Sequence, residues 1–204
     1  MKGILMQRRT IVFLVLLVSF TTVYSSAGFY LLSPRAFQPF MSFAILSEQG
    51  TLSGYVPGSG LTVPPNQTIG WHLEITNRMG AVQFVRVVFR IGNLTIANPN
   101  ETSPASNVPS IGTFEKFIPD QYTDTLSFNW RVVSVVQTGG MVFPRVQIND
   151  QSPILSPVGA ATGRDLRLMF ELWTFDTATG TFQYGWKDGD VVFGDWLQVW
   201  FDLT

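Results

Sequence analysis

The feature that most constrains this chain is an uncharged apolar segment close to its start, from Thr10 to Ser33. The segment opens with the run Ile-Val-Phe-Leu-Val-Leu-Leu-Val at residues 11–18 and contains no Asp, Glu, Lys or Arg. About 20 apolar residues in a helix cross the hydrocarbon core of a bilayer. The sequence therefore predicts a transmembrane helix over residues 10–33.

The basic residues around this segment predict its orientation. Lys2, Arg8 and Arg9 precede it, whereas only Arg35 follows it closely. Lys and Arg are retained on the cytoplasmic side of a membrane. We therefore expect a single-pass protein of the cell membrane, with residues 1–9 as a cytoplasmic tail and residues 34–204 as an extracytoplasmic domain.

A cleaved signal peptide is the alternative interpretation of the same segment. A basic start, an apolar stretch and the small residues Ser25, Ser26 and Ala27 are typical of such a peptide. However, apolar residues continue beyond that site from Gly28 to Leu32, which an anchor requires and a signal peptide does not. The sequence favours an uncleaved anchor and leaves cleavage open.

Small, weakly polar residues share a face of the predicted helix. Thr21 and Ser25 are four residues apart, as are Thr22 and Ser26. Such faces let two helices approach closely within lipid. We expect this face to pack against another membrane protein, although a lone anchor could also tolerate these residues.

Composition excludes several classes of chemistry and of partner. The chain has no cysteine, which excludes thiol catalysis, zinc-thiolate sites and iron-sulphur clusters. Its net charge is -1 and it has no basic patch in the sequence, so nucleic acid is not an expected partner. No cofactor is expected.

Alternating apolar residues predict strands after the anchor. In residues 68–76 the apolar face consists of Ile69, Trp71, Leu73 and Ile75. Residues 83–92 alternate in the same way and place Arg86 and Arg90 on the outward face, so the two segments are expected to form an antiparallel pair.

The remaining pattern predicts the fold class. Further strands are predicted at residues 40–46, 126–136, 141–148, 164–175, 181–186 and 196–203, with a long exposed loop at 97–112. Roughly seven to nine strands without a helix after the anchor predict an all-β domain. We expect an antiparallel, immunoglobulin-like β-sandwich preceded by one N-terminal transmembrane helix.

Several short motifs resemble a known family. They are Phe-Ala-Ile-Leu-Ser-Glu-Gln-Gly at 43–50, Tyr-Val-Pro at 55–57, Leu-Thr-Val at 61–63, Leu-Glu-Ile-Thr-Asn at 73–77 and Leu-Met-Phe-Glu-Leu at 168–172. The chain thus resembles an archaeal family of membrane-anchored domains of unknown function, which implies a transmembrane helix followed by an extracytoplasmic β-sandwich. Many members place Glu two residues after the Asn, where this chain has Met79, so no role of that carboxylate is implied. The resemblance implies no activity.

Two polar features are candidates for catalytic or metal sites. His72 is the only histidine, and with Glu74 alone beside it on the strand a structural role is favoured over a ligand or a general base. Asp188 and Asp190 flank Gly189, with Asp195 nearby, and could begin a calcium site. An Asp-Gly pair is also a strong turn signal, so a turn is the preferred interpretation and calcium binding stays open.

Three sequons follow the Asn-x-Ser/Thr pattern and lie in or beside predicted loops: Asn66, Asn93 and Asn100. Their position on the expected outer side of the membrane agrees with the predicted topology. The sequence predicts glycosylation of at least one of them.

The last predicted strand is apolar on both faces. One face carries Trp196, Gln198, Trp200 and Asp202. The other face carries Leu197, Val199, Phe201 and Leu203. Only one face can point into the core, so the Trp-Gln-Trp face is either covered by another part of the chain or offered to a partner. Flat aromatics beside amides also suit sugars.

Taken together, these patterns favour a non-enzymatic module. We expect a membrane-anchored extracytoplasmic interaction or scaffold domain, an accessory subunit of a membrane or cell-envelope protein assembly. Its partners would be the lipid bilayer and an envelope protein. A carbohydrate-binding module that uses the Trp-rich C-terminal third is the alternative. An enzyme is the least favoured, because catalytic constellations of His, Cys and carboxylates are missing from the sequence.

Overall fold

The computed structural model describes residues 14–25, 38–58, 60–105 and 108–203. The chain divides into two compact units, Met1–Gln38 and Pro39–Thr204, and we call the second unit the β-domain. Strands make up 55% of the structure and their sheets are antiparallel, which confirms the prediction of an all-β protein.

The first unit contains a helix over residues 14–25. Its hydroxyl groups bond to its own backbone: Thr21 Oγ1 donates to Leu17 O at 2.9 Å, and Thr22 Oγ1 donates to Val18 O at 2.7 Å. Within the described part of the chain, no helix has the length and apolarity needed to span a membrane. The remainder of the span predicted at 10–33 lies outside the described residues.

The β-domain contains fourteen strands among its described residues. They are β1 (Phe40–Ser47), β2 (Thr62–Val63), β3 (Ile69–Arg78), β4 (Gln83–Gly92), β5 (Gly112–Ile118), β6 (Tyr122–Thr138), β7 (Met141–Ile148), β8 (Ile154–Leu155), β9 (Ala160–Ala161), β10 (Leu166–Asp176), β11 (Thr181–Tyr184), β12 (Trp186–Asp188), β13 (Val191–Phe193) and β14 (Asp195–Leu203).

These strands form two six-stranded sheets and one hairpin. The first sheet has the order β1-β3-β6-β7-β8, with β9 beside β7, and the second has the order β2-β14-β10-β4-β5, with β11 beside β10. The pairings are antiparallel except for that of β14 with β2. Strands β12 and β13 pair with each other.

Aromatic side chains join the two sheets face to face. Phe89 of β4 lies 5.1 Å from Phe128 of β6, and Trp130 of β6 lies 5.3 Å from Phe201 of β14, measured between ring centroids. Trp71 of β3 is fully buried and contacts rings of both sheets. The apolar alternation of β3 and β4 therefore points into a shared core, as their sequences predict.

The structure corrects the predicted strands in two respects. Residues 68–76 and 83–92 do not form the predicted antiparallel pair, because β3 lies in the first sheet and β4 in the second. The second correction concerns the residues before position 126. Residues 112–118 form β5 and residues 122–125 begin β6, whereas the sequence predicts a strand only from residue 126. Most side chains of β5 and of the first residues of β6 are exposed, so these segments lack the buried face that gives a strand its alternation.

Motif residues of the family resemblance have structural roles here. Asn77 is fully buried at the end of β3, where its Nδ2 donates to Ala81 O at 2.8 Å and to Ile118 O at 2.9 Å. Its Oδ1 accepts from Met79 N at 3.0 Å. One side chain thus holds the β3–β4 turn against the end of β5.

Replacing Asn77 with Ala should destabilise the β-domain. The substitution leaves the carbonyls of Ala81 and Ile118 and the N–H of Met79 without their hydrogen-bond partner, at a cost of about 1–3 kcal/mol. Urea unfolding should show a lower midpoint with an unchanged slope. The control is Asn129→Ala on the exposed face of β6, expected within about 0.5 kcal/mol of wild type. Equal stability of the two variants would refute the role given to Asn77.

Candidate functional site

A long loop covers part of the outer face of the second sheet. This loop, residues 93–111, connects β4 to β5, and its described residues contact the outward side chains of β4 and β10. Ala105 N donates to Glu171 Oε1 at 2.6 Å, and Val108 O accepts from Arg90 Nη1. Ala105 and Val108 are buried by these contacts.

The loop encloses a buried ion pair. Arg90 Nε lies 3.0 Å from Glu171 Oε2, with side chains only 11% and 0% exposed. The same carboxylate oxygen accepts from Trp173 Nε1 at 3.2 Å. A buried carboxylate is tolerated when its lone pairs are filled in this way. The pair therefore fixes the loop to the sheet.

A second buried guanidinium lies beside this pair on β10. Arg167 is 2% exposed and donates to Gln198 Oε1 at 2.7 Å, to Asn98 Oδ1 and to Ile96 O. Its guanidinium carbon lies 5.0 Å from the ring centroid of Trp200. Burial lowers the pKa of Arg167. Arg167 thus connects the loop to the outward face of β14.

These contacts locate the interaction residues predicted on β14. Gln198 and Trp200 both have partners inside the β-domain, through Arg167. Trp196 is half-buried on the same face, opposite Glu171 in the register of β10 and β14. The Trp-Gln-Trp face is therefore partly covered by the chain itself, which is one of the two alternatives that the sequence leaves open.

A buried corner follows at the start of β14. A Cβ on Gly194 would lie 2.5 Å from Asn100 O and 2.5 Å from the Tyr184 ring, so only glycine allows this approach. Tyr184 OH donates to Asn100 O at 2.9 Å, and burial, together with the charges of Glu171 and Asp195, raises its pKa. Burial raises the pKa of the Asp195 carboxyl to about 7.

The uncovered part of the outer face carries a row of four phenylalanines, which we call the Phe row: Phe117 of β5, Phe84 of β4, Phe175 of β10 and Phe182 of β11. Phe117 and Phe84 stack with ring centroids 4.3 Å apart. Phe84 lies 5.9 Å from Phe175 and 5.1 Å from Phe182. Neighbouring strands thus present one continuous aromatic strip.

A cleft of about 670 Å³ opens beside the Phe row. The β3–β4 turn and the ends of β5 and β10 line it, together with Trp186 and Lys187. More of its surface is apolar than polar. This end of the β-domain therefore presents apolar side chains that the core does not use.

The other polar candidates have structural partners. His72 bonds through Nδ1 to Ser127 Oγ at 2.8 Å and through Nε2 to Glu48 O at 3.2 Å. Asp188 and Asp190 are exposed and flank the β12–β13 turn, where Gly189 has a φ of 58°. Among the described residues, no three His, Cys, Asp or Glu side chains form a group that could hold a metal ion.

The three sequons differ in environment. Asn66 and Asn100 are exposed, and Asn100 Oδ1 accepts from Thr102 N and Ser103 N, both at 2.9 Å. Asn93 is buried, and its Nδ2 donates to Gly159 O at 2.8 Å. Glycosylation stays a prediction, and in the folded domain Asn66 and Asn100 are the accessible acceptors.

The helix face predicted for packing is only partly described. Thr21, Thr22 and Ser25 lie in the helix over residues 14–25, whereas Ser26 lies outside the described residues. Packing of this face against another helix stays a prediction.

Sequence reasoning missed the loop-covered cluster and the Phe row. The sequence places Arg90 on the outward face, which is correct, but does not indicate that a loop buries it. A usable signal was present in β10, where Arg167 and Glu171 lie within a run of apolar residues, Leu-Arg-Leu-Met-Phe-Glu-Leu. Charged residues in such a run are retained when they have buried partners.

Comparison with family models, curated proteins and solved structures gives no match to this chain. The resemblance to the archaeal membrane-anchored family therefore stays a prediction that rests on the motif residues.

Removing one member of the buried ion pair should strongly destabilise the fold. Glu171→Ala leaves Arg90 buried without its counter-charge, at a cost of about 3–5 kcal/mol. The matched control is Glu115→Ala, which breaks the exposed pair with Arg86 on the same sheet face, at a cost of about 0–1 kcal/mol. Chemical unfolding measures both, and a Glu171 variant no less stable than the Glu115 variant would contradict the role of the pair.

Asp195 should make stability depend on pH. Its carboxyl ordinarily titrates at 3.8 and in the folded chain at about 7, so the native state binds the proton more tightly. The contribution of the protonated carboxyl to the free energy of unfolding is therefore fully present below pH 3.8. It is lost as the pH rises towards about 7.

We expect Asp195→Asn to raise the Tm at about pH 8 and to change it much less at about pH 4. Asp190→Asn, in the exposed β12–β13 turn, is the control. A Tm difference for Asp195→Asn that is the same at both pH values would show that the carboxyl is not titrating in this range.

Proposed function

We propose that this chain is a non-enzymatic, membrane-anchored extracytoplasmic module that binds an envelope protein as an accessory subunit. The uncharged segment at 10–33 and the basic residues before it support the anchor and its orientation. The bilayer and an envelope protein are its two proposed partners.

We further propose an immunoglobulin-like layout for the β-domain. The order β14-β10-β4-β5 matches the strand order G-F-C-C′ of immunoglobulin variable domains, and the chain passes from one sheet to the other between β3 and β4. The first sheet departs from that layout. In the A-B-E-D sheet of an immunoglobulin domain, strand E follows its outer neighbour D in the chain. Here β6 takes the position of E but precedes its outer neighbour, β7.

The observation that carries the interaction proposal is the open edge of β14. On one side β14 pairs with β10 from Asp195 to Phe201. On the other side, among the described strands, only β2 pairs with it, at Asp202 and Leu203. An edge of unpaired N–H and C=O groups is a template for an extended segment of another chain.

Trp196 supplies the side-chain contact beside this edge. It is half-buried, and large aromatics at the centre of an interface contribute a large share of binding energy. Gln198 and Trp200 support the strand on its outward face, through Arg167. A glycan is the less favoured ligand, because Arg167 lies over one face of the Trp200 ring, the kind of face on which a sugar stacks.

Photo-crosslinking in native membranes tests this function. A benzoylphenylalanine at position 196 should give a discrete crosslinked product with one envelope protein, because the partner segment lies along β14. The same probe at Val136, in the exposed β6–β7 hairpin, is the control and should give no such product. A chain that is monomeric in detergent and forms no crosslink from position 196 in its own membrane would contradict the proposal.

A further inference from the structure

One end of the β-domain collects exposed apolar side chains from separate parts of the chain. We call it the Phe40 end, because β1 begins there. Phe40 pairs with Arg78 at the end of β3, and the neighbouring residue Asn77 pairs with Tyr122 at the start of β6. Gly80 N donates to Asp120 Oδ1 at 2.8 Å, which joins the β3–β4 turn to the β5–β6 turn.

The exposed residues at this end are large and mostly aromatic. Phe40 is 45% exposed, Tyr122 54%, Val82 60% and Phe117 65%. Phe117 belongs to the Phe row, so the exposed residues continue into the stacked rings of Phe84, Phe175 and Phe182. The apolar cleft beside the row opens at the same end, since the β3–β4 turn lines it.

Six charged residues around the Phe40 end form three ion pairs, and two more, Arg78 and Asp120, lie at the same end. Lys116 Nζ lies 2.6 Å from Asp124 Oδ2, and Lys187 Nζ lies 3.5 Å from Asp176 Oδ2. Arg86 pairs with Glu115 at 2.6 Å, and its guanidinium carbon lies 3.8 Å from the Phe182 ring centroid. Paired charges are easier to bring near a low-dielectric phase than single ones.

The covalent chain connects this end to the N-terminal segment. The β-domain begins at Pro39, one residue before Phe40 and six residues after the end of the uncharged segment at Ser33. Six residues span at most about 20 Å even when fully extended. An anchor at 10–33 would therefore tether the β-domain to the bilayer through its Phe40 end.

We propose that the Phe40 end lies in the interfacial layer of the bilayer, with Phe117, Val82, Phe40 and Tyr122 among the lipid headgroups. This inference rests on the anchor of the proposed function and adds a second lipid contact. Aromatic side chains favour the boundary between water and hydrocarbon, and Tyr122 combines an apolar ring with a polar tip. The lipid contact covers the apolar surface that the core leaves exposed and limits how the β-domain tilts on its tether.

Fluorescent probes on single cysteines test the proposal in the full-length chain. The chain has no native cysteine, so each variant carries one label. Phe117→Cys and Val82→Cys place an NBD group at the Phe40 end, and both residues are exposed enough to be replaced without disturbing the core. Leu52→Cys labels an exposed loop at the opposite end, and Val18→Cys labels the N-terminal helix. Each protein is reconstituted in phosphatidylcholine vesicles, with and without lipid spin-labelled near the headgroup or deep in the acyl chain.

The proposal predicts that NBD at positions 117 and 82 has blue-shifted emission and loses most of its fluorescence to the headgroup-proximal spin label. NBD at position 52 should stay unquenched, and NBD at position 18 should be quenched by the deep spin label. Quenching at position 18 without quenching at 117 and 82 would overturn the lipid contact and leave the anchor intact. No quenching at any position would overturn both.

Discussion

The contact between aromatic rings of the two sheets is the interaction on which the rest of the structure depends. Phe89 and Phe201 come from the second sheet and meet Phe128 and Trp130 of the first. Each aromatic side chain removes about 150–250 Å² of surface from water. The chain has no cysteine, so this burial stabilises the β-domain without disulfide bonds. Because the inner faces are filled, binding surfaces are confined to outer faces, edges and ends.

The outer face of the second sheet is divided between two environments. On one part, the described residues of the loop over 93–111 bury Arg90, Arg167 and Glu171 in a polar cluster. On the other part, the Phe row lies open beside the cleft. The cluster attaches a long polar loop to the sheet, while the Phe row is available to another surface. One face thus contributes both to stability and to the proposed contacts.

Sequence alone predicts the strands whose one face enters the core, because burial imposes a period of two on β3 and β4. It fails for β5, whose side chains are mostly exposed, and for the burial of Arg90, which depends on a loop whose position the local sequence does not encode. The two-sided pattern of β14 leaves open whether its second face is covered by the chain or offered to a partner, and the structure shows it partly covered. The pattern does not indicate that Arg167, 31 residues away from Gln198, contributes to that cover. Contacts between distant segments decide these features, so local periodicity cannot reveal them.

Labelling single cysteines in intact cells with a membrane-impermeant maleimide tests most directly whether the N-terminal segment holds the β-domain outside the membrane. Leu155→Cys, exposed on β8, should react in intact cells, and Lys2→Cys should react only after permeabilisation. Both variants should stay with the membrane after a carbonate wash. Labelling of Leu155→Cys only after lysis, or its release by carbonate, would contradict the anchored, outward-facing arrangement.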